Sequence, residues 1–216
     1  MDKILEIIYN GILDGDQKAV AQDVQVALDA GLAPDDILKN ALVAAMGEVG
    51  RRFEAGEYFV PEMLIAARAM QNGLKLLKPR LVQSGVAAVG RVALGTVAGD
   101  LHDIGKNLVG MMLEGAGFEV VDLGADVKPE AFVAAVREHR PDIIGLSALL
   151  TTTMPKMIST IQALEEAGLR KQVKVMIGGA PVTEEYAKKI GADGFAYDAS
   201  LAVKVARSLI EQIRIR

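Results

Sequence analysis

Cysteine is absent from the 216 residues, which excludes disulfide bonds, thiolate metal sites and cysteine nucleophiles. Tryptophan is absent too. Aromatic residues make up only 4% of the chain, too few for the stacked platforms that hold single-stranded nucleic acid. Charge of one sign is also lacking: 24 basic and 28 acidic side chains leave a formal net charge of −4. No basic stretch is available to attract phosphate backbones or anionic lipid. No apolar run reaches the length of a membrane span. The first residues, Met1-Asp2-Lys3-Ile4-Leu5-Glu6, lack the basic region and apolar core of a secretion signal. These absences predict a cytoplasmic protein with neither nucleic-acid nor membrane partners. Histidine is scarce, at two residues.

What is present is a large apolar fraction, 51%, enough for a substantial core. The two halves differ in period. Over residues 1–83 the apolar positions follow helical spacing: Ile4, Leu5, Ile7, Ile8, Ile12; then Val20, Val24, Ala27, Leu28; then Ile37, Leu38, Leu42, Met46, Val49, Phe53. A fourth helix starts near Pro61 and carries Met63, Leu64, Ala67, Met70, Leu74 and Leu77. Short connections between four such helices predict an antiparallel bundle. Residues 84–90, small and uncharged, read as a linker. Over residues 91–216, strand candidates at 91–97, 119–123, 142–146, 173–177 and 193–196 alternate with helix candidates. Five βα units predict a flavodoxin-like, Rossmann-type domain with a five-stranded parallel sheet. Ligands of such sheets lie at the carboxyl ends of the strands.

Three unusual loops fall at that edge. The first, Asp100-Leu101-His102-Asp103-Ile104-Gly105-Lys106-Asn107, holds one of the two histidines between an apolar strand and a helix. An imidazole with carboxylates two positions before and one after it suits a metal ligand backed by a hydrogen-bond partner. Taken alone, it suits a solvated loop residue equally well. The second loop, Ser147 to Thr153, holds hydroxyls that also fit helix caps. The third, Gly178-Gly179-Ala180-Pro181, also fits a plain turn. His139, in Arg137-Glu138-His139-Arg140, reads as a solvated helix end, and the nine methionines as core filler.

Together, Asp100, His102 and Gly105, then Ser147 and Leu149, then Gly178 and Gly179 resemble the D-x-H-x-x-G, S-x-L and G-G signature of cobalamin-binding domains. Upstream, Met46-Gly47-Glu48-Val49-Gly50, Phe53, Gly56, Tyr58-Phe59-Val60-Pro61 and Ala66-Ala67-Arg68-Ala69-Met70 resemble the helical cap of methyl-cobalamin proteins. The likeness spans nearly the whole chain. The chain looks like the small corrinoid proteins of methanol, methylamine and methoxy-aromatic methyltransferase systems, and like the cobalamin-binding fragment of methionine synthase.

The resemblance implies residue roles. His102 coordinates cobalt from below in place of the cofactor's own benzimidazole, leaving the cobalamin base-off, and Asp100 accepts a hydrogen bond from the second ring nitrogen. Thr153 stands where methionine synthase has a serine completing this relay. Gly105, Gly178 and Gly179 give the detached nucleotide tail room. Ser147 and Thr151 face the corrin rim or the tail, and Asp103 and Leu149 complete the cofactor-binding set. Phe53 and Val60 cover the upper face; methionine synthase has a leucine at the second position. The implied partners are a substrate-specific methyltransferase, a second methyltransferase that passes the methyl group to tetrahydrofolate or a thiol such as coenzyme M, and a reductive activase. The implied role is that of a methyl carrier.

Other classes fit less well. An adenosylcobalamin mutase needs a large substrate barrel, and a small mutase subunit lacks a helical cap. A cobalamin-dependent sensor needs a DNA-binding segment and tends to carry a cap tryptophan. A flavin or nucleotide domain needs a phosphate-cradling glycine fingerprint after its first strand.

Overall fold

A computed structural model describes residues 2–85 and 87–215. It divides into two compact units, Met1–Ala88 with Glu114–Gly117, and Val89–Leu113 with Phe118–Arg216. The division falls within the stretch 84–90, of which Val86 lies outside the described residues.

The first unit is helical: α1 Lys3–Leu13, α2 Gln17–Asp29, α3 Pro34–Ile37, α4 Ala44–Glu54 and α5 Val60–Gln83. The Asp16 carboxylate caps α2, accepting from the Lys18 and Ala19 amides at 3.1 and 2.9 Å. At the start of α5, Glu62 reaches back to the Phe59 amide at 3.0 Å. Two features depart from the sequence pattern. The third helix is not uniform, because Leu38–Val43 is π-helical and joins α3 to α4. The wider turns rotate the apolar stripe, and Ile37, Ala41, Leu42, Ala45, Met46 and Val49 are all buried. The fourth helix continues through Pro79, which has no N–H to donate, and buried Leu81 holds the extra turn against the bundle.

The second unit alternates strand and helix: β1 Arg91–Thr96, α6 Ile104–Gly115, β2 Glu119–Asp122, α7 Pro129–His139, β3 Ile143–Ser147, α8 Pro155–Glu166, β4 Lys174–Gly178, α9 Glu184–Ile190, β5 Gly194–Ala196 and α10 Ala199–Arg214. The strands pair in parallel in the order β2-β1-β3-β4-β5, the flavodoxin-like arrangement expected from the sequence. The order reverses between β1 and β3. There Thr96 pairs with Ser147, which pairs with Gly178, which pairs with Ala196. That row forms the carboxyl edge, so the loops after β1, β3 and β4 leave the sheet side by side.

Strand side chains alternate between the two faces. Ala93 and Val97 join Phe132, Val136, Ile144, Met157 and Ile161 in a core against α7 and α8. Gly95 lies on that same face. A Cβ placed there would stand 2.6 Å from the Phe132 ring, so the glycine lets α7 approach the sheet. Thr96 belongs to the opposite face with Val92 and Leu94, and Gly110 of α6 packs near Leu94. Buried Met46, Met63, Met70, Met112 and Met157 fill core space, as composition suggested.

Gly95→Ala is expected to destabilise the protein by about 1–3 kcal/mol through overpacking against the aromatic ring. Combined with Phe132→Leu, it should cost less than the sum of the two single substitutions, because the smaller side chain makes room for the methyl group. Urea denaturation of the four forms measures the coupling.

Candidate functional site

The β1–α6 loop brings His102 back over the carboxyl edge, and one carboxylate organises it. Asp100 is fully buried, and its two oxygens accept five hydrogen bonds. Oδ1 takes the His102 amide at 3.1 Å and His102 Nδ1 at 2.7 Å. Oδ2 takes the Leu149 amide at 2.8 Å, the Leu150 amide at 3.3 Å and the Thr153 hydroxyl at 2.7 Å. Thr153 Oγ1 also lies 2.9 Å from the Leu150 carbonyl, but the carboxylate is the stronger acceptor for its single proton. Burial pushes the Asp100 carboxyl up. The hydrogen bonds from Thr153, His102 and the Leu149 amide outweigh it and hold the group well below the usual carboxylate range.

An ionised carboxylate can only accept, so His102 Nδ1 carries the proton and Nε2 is left to face outward. The His102 side chain is 51% exposed. Around it, Leu101 and Ile104 are 76% and 74% exposed, and Leu149 and Leu150 are also exposed. An apolar rim around one free imidazole nitrogen suits a flat, largely apolar ligand.

Among the described residues, no group of three or more His, Cys, Asp or Glu side chains could hold a metal ion. A protein-built metal cage needs three or four such ligands. One outward nitrogen therefore fits a metal that brings its own equatorial ligands, as a corrinoid does. Gly105 fits as well, because an added Cβ would meet nothing within 4 Å, leaving open space at the start of α6.

Comparison with known proteins decides the family. A family described as "B12 binding domain" matches residues 90–205, and a second of the same description matches residues 4–78. The chain belongs to the B12-binding corrinoid proteins. It is 43% identical to a corrinoid protein of Desulfitobacterium hafniense (strain Y51), over 96% of this chain and 97% of that one. It is also 43% identical to trimethylamine corrinoid protein 1 of Methanosarcina acetivorans, over 97% of this chain and 98% of that one. Among solved structures, the methanol:cobalamin methyltransferase complex MtaBC from Methanosarcina barkeri matches with a TM-score of 0.86 and 33% identity. That match covers 97% of this chain and 80% of that one.

In this corrinoid protein the remaining sequence-derived residues fall in different places. Asp103 turns its carboxylate to the Asn107 side chain at 3.1 Å, within the first turn of α6. Thr151 is exposed, and half-buried Ser147 ends β3, its carbonyl accepting from the Val97 amide at 3.0 Å. Thr153 does not cap α8; its hydroxyl is committed to Asp100. Gly178 and Gly179 serve the chain's own packing. A Cβ on Gly178 would lie 2.7 Å from the Ala196 carbonyl oxygen. One on Gly179, where φ is +127°, would lie 1.9 Å from that of Ala148. His139 closes α7, partly exposed. Phe53 is half-buried on α4, and Val60, exposed, begins α5.

Several residues that brace the loop gave no periodic or motif signal. Asp126 accepts the Gly99 amide at 2.6 Å and donates its own amide to the Asp100 carbonyl at 3.0 Å. Buried Lys106 ion-pairs with Asp122 and donates to Asn107 Oδ1 at 2.6 Å. The Thr96 hydroxyl donates to the His102 carbonyl at 3.1 Å.

Removing a hydroxyl bonded to a buried carboxylate is expected to destabilise the unloaded protein by about 1.5–3 kcal/mol in Thr153→Val, and by clearly less in Thr153→Ser. Gly179→Ala should be more severe, about 3 kcal/mol or more, since the methyl group meets backbone and the left-handed φ is strained. Urea unfolding curves test both.

Proposed function

We propose that this corrinoid protein carries a methyl group between two methyltransferases, with its cofactor seated base-off on His102. When bound, the corrinoid supplies a cobalt centre that accepts a methyl group from one partner and yields it to the next. The protein's own work is to hold, orient and cover that cofactor.

The observation that carries the reading is the His102–Asp100–Thr153 arrangement. Asp100 fixes the tautomer and the ring plane, so Nε2 presents its lone pair in one direction without further reorganisation. Thr153 and the Leu149 and Leu150 amides keep the carboxylate ionised despite its burial, and a negative charge behind the ring strengthens the imidazole as a donor. This charge–hydrogen-bond chain lets a proton on or off the His102–Asp100 pair modulate how firmly the ring holds a metal.

Gly105 leaves space for the cofactor's detached tail beside α6. Ser147, Leu149 and Thr151, together with Asp103, Gly178 and Gly179, form the rest of the cofactor surface along the carboxyl edge. The helical unit acts as a cap, with Phe53 and Val60 over the upper face. Similar proteins support the reading that methyltransferases are the partners: trimethylamine and dimethylamine corrinoid proteins are so named, and the methanol:cobalamin methyltransferase was solved as a complex. A substrate-specific methyltransferase loads the carrier, and a second one delivers to tetrahydrofolate or a thiol such as coenzyme M. A reductive activase restores it, all in the cytoplasm.

Purified protein loaded with methylcobalamin is expected to give the visible spectrum of a base-off, histidine-ligated corrinoid, and His102→Ala should lose it. A benzimidazole-on spectrum in the parent protein, or an unchanged spectrum in His102→Ala, would rule out ligation by His102.

A further inference from the structure

We propose that Thr96 is a positioning residue for His102, its hydroxyl pinning the carbonyl end of the residue whose amide and ring are held by Asp100. The proposal rests on the reading of His102 as the lower ligand.

Thr96 ends β1, inside a run of buried apolar residues, Val92, Ala93, Leu94 and Val97. Its own side chain is fully buried. The backbone at this position is already satisfied: the Thr96 amide donates to the Gly124 carbonyl at 3.0 Å, and its carbonyl accepts from the Val127 amide at 2.9 Å. The hydroxyl is therefore not needed by the sheet. Valine has the same branching and nearly the same volume, and would suit a buried strand position better. What the hydroxyl does instead is cross from strand to loop and donate to the His102 carbonyl at 3.1 Å.

His102 is thus held at three points. Asp100 Oδ1 takes its amide and Nδ1, and Thr96 takes its carbonyl. The two anchors differ in kind. Asp100 sets the ring plane, whereas Thr96 sets the His102–Asp103 peptide plane where the loop turns into α6. Without the second anchor that peptide can rotate, and the imidazole loses part of its preorganisation toward a ligand above it. The Thr96 hydroxyl bonds the His102 carbonyl and not its ring nitrogens, so its effect is transmitted through the His102 backbone.

The test compares the full-length parent, Thr96→Val, Thr96→Ser and His102→Ala, each loaded with cyanocobalamin. At one fixed pH, potassium cyanide is titrated until the dicyano spectrum appears, which reports displacement of the lower nitrogen. Thermal melts of the unloaded proteins run in parallel. The midpoint cyanide concentration should fall about five-fold in Thr96→Val, the scale of one neutral hydrogen bond, and by less than about two-fold in Thr96→Ser. An unchanged midpoint in Thr96→Val overturns the proposal, as does an equal fall in Thr96→Ser. Loss of a cooperative melt in unloaded Thr96→Val also overturns it, since the hydroxyl is then structural. A midpoint unaffected by His102→Ala instead removes the lower-ligand reading itself, whatever Thr96 does.

Discussion

The buried carboxylate of Asp100 is the constraint on which the site depends. Taking a charged group out of water is expensive, and an unpaired one would not stay ionised. Here the charge is retained because donors converge on it from two loops, after β1 and after β3. The bonds from Leu149, Leu150 and Thr153 that stabilise the charge also tie the two loops together, so the electrostatics of the site and the geometry of its backbone are one problem. The imidazole is the part of that network that faces outward.

The sheet makes this convergence possible. Thr96 and Ser147 are register partners at the point where strand order reverses, so the segments following them emerge as neighbours. Gly178 and Gly179 continue the same edge, where the Ala196 and Ala148 carbonyls leave no room for a Cβ. The two glycines are explained by the close approach of neighbouring backbones, and they thereby keep the β3–α8 loop where it can reach Asp100. Asp126, in the loop after β2, and Asp122, at the end of β2, brace the β1–α6 loop from its other side, through the Gly99 amide and through Lys106 of α6. The outward imidazole nitrogen of His102 is thus supported by contributions from the segments that follow β1, β2 and β3.

Much of this was legible in the sequence. Helical and strand periodicity placed the elements close to their observed bounds, because burial on one stripe or both faces leaves a mark at a fixed spacing. The third helix was misjudged only in its interior, since a π-helical stretch shifts the stripe without interrupting it. The fourth helix runs on through Pro79 because a proline near a C-terminus sacrifices few bonds. His102, Asp100 and Thr153 could be singled out by motif spacing. Thr153 nevertheless read equally well as a helix cap, and Gly178-Gly179 as a turn.

The amino-acid sequence by itself determined which chemistry was open to this protein. Without cysteine and with two histidines, no cage of thiolates and imidazoles can be assembled, so a lone histidine ligand suits a metal that arrives with most of its own ligands. It also determined the alternating architecture, through local periodicity. Only the tertiary structure decided how His102 is held. Asp100 and Thr153 lie 53 residues apart, and the sheet register sets their 2.7 Å contact. The Thr96 hydroxyl, hidden in an apolar strand, acquires a purpose only when the loop folds back to place the His102 carbonyl within reach. Hydrogen bonds between distant segments leave no periodic trace in a chain, so their partners emerge only when the segments are brought together.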